Sequence, residues 1–309
     1  MKNLLLIVAV IVSSVGANAQ QDAMFTHYSF NTLGVNPAYA GSRDALTVLA
    51  LHRSQWVSFP GAPITQTVTA HMPIANDKMG VGLSMMHDKI GPTRNMGFFA
   101  DFAYRLQVGE KGKLAFGIKA GSSFLSNDLA SISTTDGGDN SFAQSITSQF
   151  LPNFGAGVYY QLPRFYVGLS TPRLLENDYA SNTTAGSVAS ESRHYFLIAG
   201  GIFDLSKDAK IQLKPTTFFK VTAGAPIEVD ITALLYFNQK FWAGPMFRTG
   251  DAVGVLAGLN ITTQFALGYS FDWSYGNATG KYNAGSHELM LRYDFVFRDK
   301  KDVISPRYF

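Results

Sequence analysis

The sequence predicts an all-β chain that crosses a membrane as an antiparallel up-and-down β-barrel of about 14 strands. Three observations predict it: two-residue alternation near the end, an export signal at the start, and charges that share one parity. From residue 265 the odd positions are Phe265, Leu267, Tyr269, Phe271, Trp273 and Tyr275, and the even ones are Ala266, Gly268, Ser270, Asp272 and Ser274. From residue 289 the odd positions are Leu289, Leu291, Tyr293, Phe295 and Phe297, flanked by Glu288, Met290, Arg292, Asp294 and Val296. Successive side chains of a strand point to opposite faces, so a period of two means strand. A face of large and aromatic residues opposite a small or charged face fits a barrel with lipid outside and a polar lumen.

Taken in chain order, residues 1–19 read as a signal peptide. Lys2 supplies the positive start, residues 4–12 an apolar core too short to span a bilayer, and Ala17-Asn18-Ala19 a cleavage site. No cysteine follows, so neither a lipid anchor nor a disulfide is expected. Residues 20–43 are expected to be an N-terminal periplasmic segment before the wall. The wall itself is expected over 44–297, with strands at 44–53, 63–73, 79–88, 94–106, 113–126, 152–162, 164–170, 193–205, 210–219, 226–237, 240–248, 252–260, 263–275 and 285–297. Pro215 in the ninth of these calls for a bulge or an edge. Residues 298–309 form a periplasmic tail. If the N-terminus is periplasmic, the two longest connections, 127–151 and 171–192, face outward, and short ones such as 206–209 face the periplasm.

Composition agrees with a barrel. The 309 residues include 29 Gly, 24 Phe and 14 Tyr, and only 15% are charged. Glycines and aromatics are what a barrel wall uses for bends and interfacial girdles. A formal charge of +3 without a basic cluster gives no reason to expect nucleic acid. Nine charges inside the alternating runs take the polar parity: Asp101, Arg105, Lys119, Glu228, Asp230, Asp272, Glu288, Arg292 and Asp294. A one-residue slip would turn a whole strand's set toward lipid, and misplacing all nine would cost on the order of 10 kcal/mol. They are therefore expected to face the lumen, and opposite charges on neighbouring strands 4 and 5, and 13 and 14, are expected to pair across it.

A search for reaction chemistry returns nothing. The six histidines make no i, i+4 pair and no zinc spacing, and no nucleophile elbow or phosphate-binding loop is present. Asp136-Gly137-Gly138-Asp139-Asn140 lacks the spacing of a calcium loop and reads as a polar loop tip. No catalytic residue, metal or cofactor is expected.

Three short motifs remain. Asn36-Pro37-Ala38-Tyr39-Ala40-Gly41 precedes the first strand, and Asn-Pro is a turn signal. His52-Arg53-Ser54-Gln55-Trp56 ends that strand, with Gly61-Ala62-Pro63 leading into the next. Arg53 and Trp56 fit either an outer aromatic girdle with a cation–π contact or, with Gln55 between them, a partner-binding site. The chain ends in Ser305-Pro306-Arg307-Tyr308-Phe309, where Pro306, Arg307, Tyr308 and Phe309 offer two aromatics, a guanidinium and a carboxylate for docking. Together, in this order, these motifs resemble the PorP/SprF family of outer-membrane proteins of type IX secretion and gliding. His52 departs from the aromatic expected before the arginine. The resemblance implies a barrel that is not an enzyme. Its implied partners are a secreted cell-surface protein, or that protein's C-terminal domain, at the outer mouth, periplasmic components of the secretion machinery, and outer-membrane lipid. A porin or transporter for small solutes is the alternative.

Overall fold

The structure, a computed structural model, describes residues 24–75, 77–128, 146–179, 190–276 and 278–295. One antiparallel sheet closes on itself. Its strands are β1 (Leu46–Ser54), β2 (Ile64–Ile74), β3 (Met79–Ile90), β4 (Thr93–Val108), β5 (Gly112–Asn127), β6 (Ile146–Gln161), β7 (Phe165–Thr171), β8 (His194–Gly201), β9 (Phe203–Asp204), β10 (Ile211–Thr222), β11 (Glu228–Phe237), β12 (Phe241–Arg248), β13 (Ala252–Asn260), β14 (Phe265–Ser274) and β15 (Ser286–Phe295). Apart from β8 and β9, which both pair with β10, each pairs with its neighbours in sequence, and β1 pairs with β15 from Leu46↔Phe295 to Ser54↔His287 to complete the ring. β8 and β9 are two pieces of one wall strand, since both pair with β10 in a single register. The wall therefore has 14 staves.

The break in that stave replaces the bulge or edge expected at Pro215. Pro215 pairs in register with Ala233 of β11. On its other side the ladder to β8 and β9 is interrupted, while the Ile202 amide keeps the stave tied to its other neighbour by donating to the Arg164 carbonyl, 2.9 Å away. A residue without an N–H is tolerated where a ladder is already broken. β6 also begins earlier than expected. Its ladder with β5 runs as far as Asn127↔Ile146, past a register shift at Leu125. Backbone pairing needs no alternation of side chains, so this extension left no periodic trace in the sequence.

Burial follows the pleat. Over residues 97–105 of β4 and 115–119 of β5 every second residue is buried, while Phe98, Phe102, Tyr104, Phe116 and Ile118 on the other face are exposed. The whole wall carries exposed Leu, Ile, Val, Phe, Tyr and Trp outward. In a soluble protein such a surface would aggregate; in a bilayer it is the solvated face. The two longest connections, 128–145 and 172–193, leave from the same end of the barrel, called here the long-loop end. The expected signal peptide, the tail 298–309 with its four docking residues, and the Asp136–Asn140 tip lie outside the described residues.

One expectation is overturned. Residues 20–43 were expected in the periplasm, but the described part, residues 24–43, is folded inside the barrel. Thr26, His27, Tyr28, Leu33, Asn36, Ala38, Tyr39 and Ala40 are all buried. The segment enters as turns, makes one α-helical turn α1 (Thr32–Val35) and a 3-10 turn (Pro37–Tyr39), and then joins β1. Its apolar side chains give the physical reason. Phe25, Tyr28, Phe30, Leu33 and Tyr39 find partners on inward-facing aromatics, as Phe30 stacks on Trp242 at 4.7 Å and Tyr28 on Phe218 at 5.2 Å. Two buried clusters result, one around Tyr28, Leu33 and Phe218 and one around Trp242 and Leu234.

Candidate functional site: a plugged lumen and its mouth

The plug runs the length of the lumen. Met24 lies at the long-loop end, where it shares a cavity of about 470 Å³ with Gln55, Trp56, Asp88, Glu228, Arg248 and Asp251. The 40–43 stretch lies near the short turns. There the Arg105 guanidinium donates to the Ala40 carbonyl (2.6 Å) and the Asp77 carbonyl (3.1 Å).

At the long-loop end the first plug turn is latched to three strands. The amides of Thr26 and His27 each donate to a Glu288 carboxylate oxygen at 2.8 Å, and His27 Nδ1 lies 2.8 Å from Glu288 Oε1. The Thr26 hydroxyl donates to Asp272 at 2.6 Å. Arg53 Nη1 donates to Asp272 (2.6 Å) and to the Thr26 hydroxyl (2.9 Å), and lies 3.3 Å from Glu288. Two buried carboxylates would be very costly alone; here a guanidinium and two backbone N–H groups compensate them. Arg53 is 3% exposed, so it forms neither an outer girdle nor a contact surface. The parity of β1 explains this correction. His52 points out and hydrogen-bonds Ser54 at 3.2 Å on the outer face, so Arg53 must point in. Trp56 is half-buried in the mouth, where its indole N–H donates to Ser274 Oγ at 3.1 Å, and Gln55 lines the same mouth.

The middle of the plug is held by the Asn-Pro motif. Asn36 Oδ1 accepts from the Ala38 amide at 2.9 Å and so caps the 3-10 turn, with Pro37 at its first position. Asn36 Nδ2 donates to the Val158 carbonyl of β6 at 3.1 Å. Tyr39 meets His71 and Tyr159 edge-on, and the Gly41 amide donates to His71 Nδ1 at 2.9 Å. The motif is thus an internal buckle, completely buried. The wall clears space for it with inward glycines. A Cβ on Gly117 would lie 2.1 Å from the Ala38 nitrogen, and one on Gly80 would lie 1.9 Å from the Ala40 carbonyl oxygen. These glycines serve close backbone approach rather than the bends expected from composition.

The nine charges fall as follows. Asp101 and Lys119, on adjacent strands, are buried and 3.3 Å apart, and Lys119 also reaches the Leu33 carbonyl at 3.4 Å. Asp230 holds Arg248 through two oxygens at 2.9 and 3.1 Å, with Glu228 at 3.6 Å. Asp294 accepts from Thr47 (2.7 Å) and from Arg43 of the plug (3.1 Å), with Arg292 at 3.6 Å. Asp272 and Glu288 belong to the latch and Arg105 to the inner end of the plug. Only Asp101 with Lys119 pairs two of the nine between neighbouring strands. The rest pair within a strand, or with Arg43, Arg53 or Arg248, or hold the plug's backbone. Sequence reasoning missed Arg43, Arg248 and the plug residues before Asn36, and it gave the 36–41 motif no place inside the barrel. Arg248 was open to discovery, because Phe241, Ala243, Pro245 and Phe247 take the outward parity and leave position 248 inward.

A closed 14-stave wall, apolar outside and filled by its own N-terminal segment, defines an outer-membrane β-barrel protein. The solved structures it is similar to are of that kind. The CymD monoaromatic hydrocarbon channel matches with a TM-score of 0.51 and 10% identity over 87% of this chain and 93% of that one. The Acinetobacter baumannii outer membrane protein Omp33 matches at 0.47 and 11% identity, over 82% of this chain and 100% of that one. At such identities the first likeness bears on fold alone. A comparison with curated proteins finds no match. The family model "Type IX secretion system membrane protein PorP/SprF" matches residues 17–293. The chain therefore belongs to the PorP/SprF family of type IX secretion membrane proteins, and it resides in the outer membrane.

Proposed function

We propose that this protein is a non-enzymatic barrel that assists secretion or surface anchoring of a type IX-secreted cell-surface protein. The observation that carries this reading is the plug. A lumen occupied from end to end by a latched segment offers a partner a mouth rather than a solute a channel, which weighs against the porin alternative. Family membership supplies the system it works in. The long-loop mouth, with Gln55 and Trp56 at its 470 Å³ cavity, is the proposed receiving surface. Aromatics held in a partly open pocket are favoured anchors in protein interfaces. The periplasmic tail, with Pro306 to Phe309, is proposed to contact the machinery on the other side.

The test is affinity purification of the tagged protein from native outer membranes, alongside single-channel recording. A secreted surface protein should co-purify, and Trp56→Ala should reduce its retention severalfold at normal barrel levels. A steady ion conductance from the unaltered protein, with no secreted protein co-purifying, would favour the porin instead.

A further inference from the structure

The outer face of the wall is apolar almost everywhere, but one sector is polar. It spans β15 and β1 to β4 near the long-loop end. Two adjacent cross-strand rows carry it. The row nearer the strand ends runs His287↔Ser54↔Ile64↔Lys89↔Arg94. The next row inward runs His52↔Gln66↔His87. His52, Gln66, Lys89 and Arg94 are exposed. The rows are knitted by hydrogen bonds from His52 to Ser54 (3.2 Å) and from Gln66 to His52 (3.4 Å). Immediately further along the same strands the face is apolar and exposed again, at Leu83, Met85, Met96 and Phe98.

Lys89 and Arg94 are direct cross-strand partners, so two like charges sit side by side. No acidic side chain among the described residues bridges either one. Two neighbouring cations at the edge of an apolar band call for an anion at that depth. A guanidinium beside an ammonium suits a phosphate, through forked and point contacts respectively. The order along β3 fits a lipid. Lys89 is two residues, roughly 7 Å, nearer the strand end than His87. In a membrane lipid the phosphate likewise lies outside the ester carbonyls and hydroxyls, which imidazole and amide groups can bond. The apolar residues beyond them would meet acyl chains.

We propose that this sector is a binding site for the headgroup of an anionic phospholipid, with Lys89 and Arg94 holding its uncompensated phosphate and His52, Gln66 and His87 the groups beneath it. Basic residues at a membrane surface each favour anionic lipid by about a factor of five, so the pair gives on the order of 25-fold.

The experiment uses the full-length protein reconstituted in vesicles of equal parts phosphatidylglycerol and phosphatidylcholine. It is then extracted in mild detergent, and retained headgroups are counted by mass spectrometry. The unaltered protein should retain phosphatidylglycerol in large excess. Lys89→Gln with Arg94→Gln should abolish the preference, Gln66→Leu should reduce it, and Lys240→Gln at the other end should leave it intact. Heat-modifiable mobility confirms that each variant is folded. Equal retention of the two lipids, or a preference unchanged in the double variant, would overturn the proposal. Loss of retained lipid on adding millimolar inorganic phosphate would also overturn it, by marking a site for the free anion.

Discussion

Replacing Gly117 with valine should displace the plug while leaving the wall intact. Gly117 lies mid-strand in β5 with its missing side chain aimed at the plug. An added Cβ would sit 2.1 Å from the Ala38 nitrogen and 2.4 Å from both Ala38 Cα and the Pro37 carbonyl carbon. Ordinary contact begins at about 3.5 Å, so the plug backbone must retreat by more than 1 Å. No flexible side chain is available to give way instead. The retreat would break the Asn36 bond to Val158 (3.1 Å), the Gly41 bond to His71 (2.9 Å) and the Ser170 bond to the Val35 carbonyl (2.7 Å). At about 1 kcal/mol each, these come to roughly 3 kcal/mol, before the edge contacts of Tyr39 are counted. That would change the seated-to-unseated ratio by about a factor of 150. The wall should not suffer, because valine suits a strand. The assay is planar-bilayer conductance, with heat-modifiable mobility as the check on folding and Ala120→Val, on the outer face of the same strand, as control. A folded Gly117→Val barrel with the same conductance and the same protease resistance of residues 24–43 as the parent would refute the reasoning.

Two further perturbations address other parts of the chain. Arg53→Met leaves Asp272 and Glu288 buried without their guanidinium, so it should destabilise the latch by about 3–5 kcal/mol and expose residues 24–30 to protease before the barrel melts. Adding Asp272→Asn should recover part of the loss, and no recovery would place the role of Arg53 elsewhere. Removing residues 305–309 should leave barrel insertion unchanged yet lower surface display of the partner. Full display by the truncated chain would remove the tail from the proposed function.

The wall was legible because a bilayer punishes every polar residue on one face, which writes a period of two into each strand. Asp101 and Lys119 could be placed inward on that ground alone. The plug obeys no such rule. Residues 24–43 turn four times in 20 positions and bury side chains in all directions, so no period survives. Its trace lies in the residues it touches: glycines at inward positions such as 80, 117 and 157, where a wall built only to hold lipid out has no need of them. Arg53 was misplaced for a different reason. It was read with its sequence neighbour Trp56 instead of by the parity of its strand, and Trp56 lies beyond the last residue of β1, where parity no longer applies.

The latch also bears on assembly. Its acids come from β14 and β15, its arginine from β1, and its N–H donors from the plug, so it straddles the junction where the first and last strands of the wall meet. Until the final strand arrives, Arg53 has no Glu288 and the Thr26 and His27 amides have no acceptor. The first turn of the plug can therefore latch only once that seam is closed. A barrel left open at that seam would hold a loose N-terminus, so in the unaltered chain, whose latch is intact, protection of residues 24–30 from protease reports that the ring is complete.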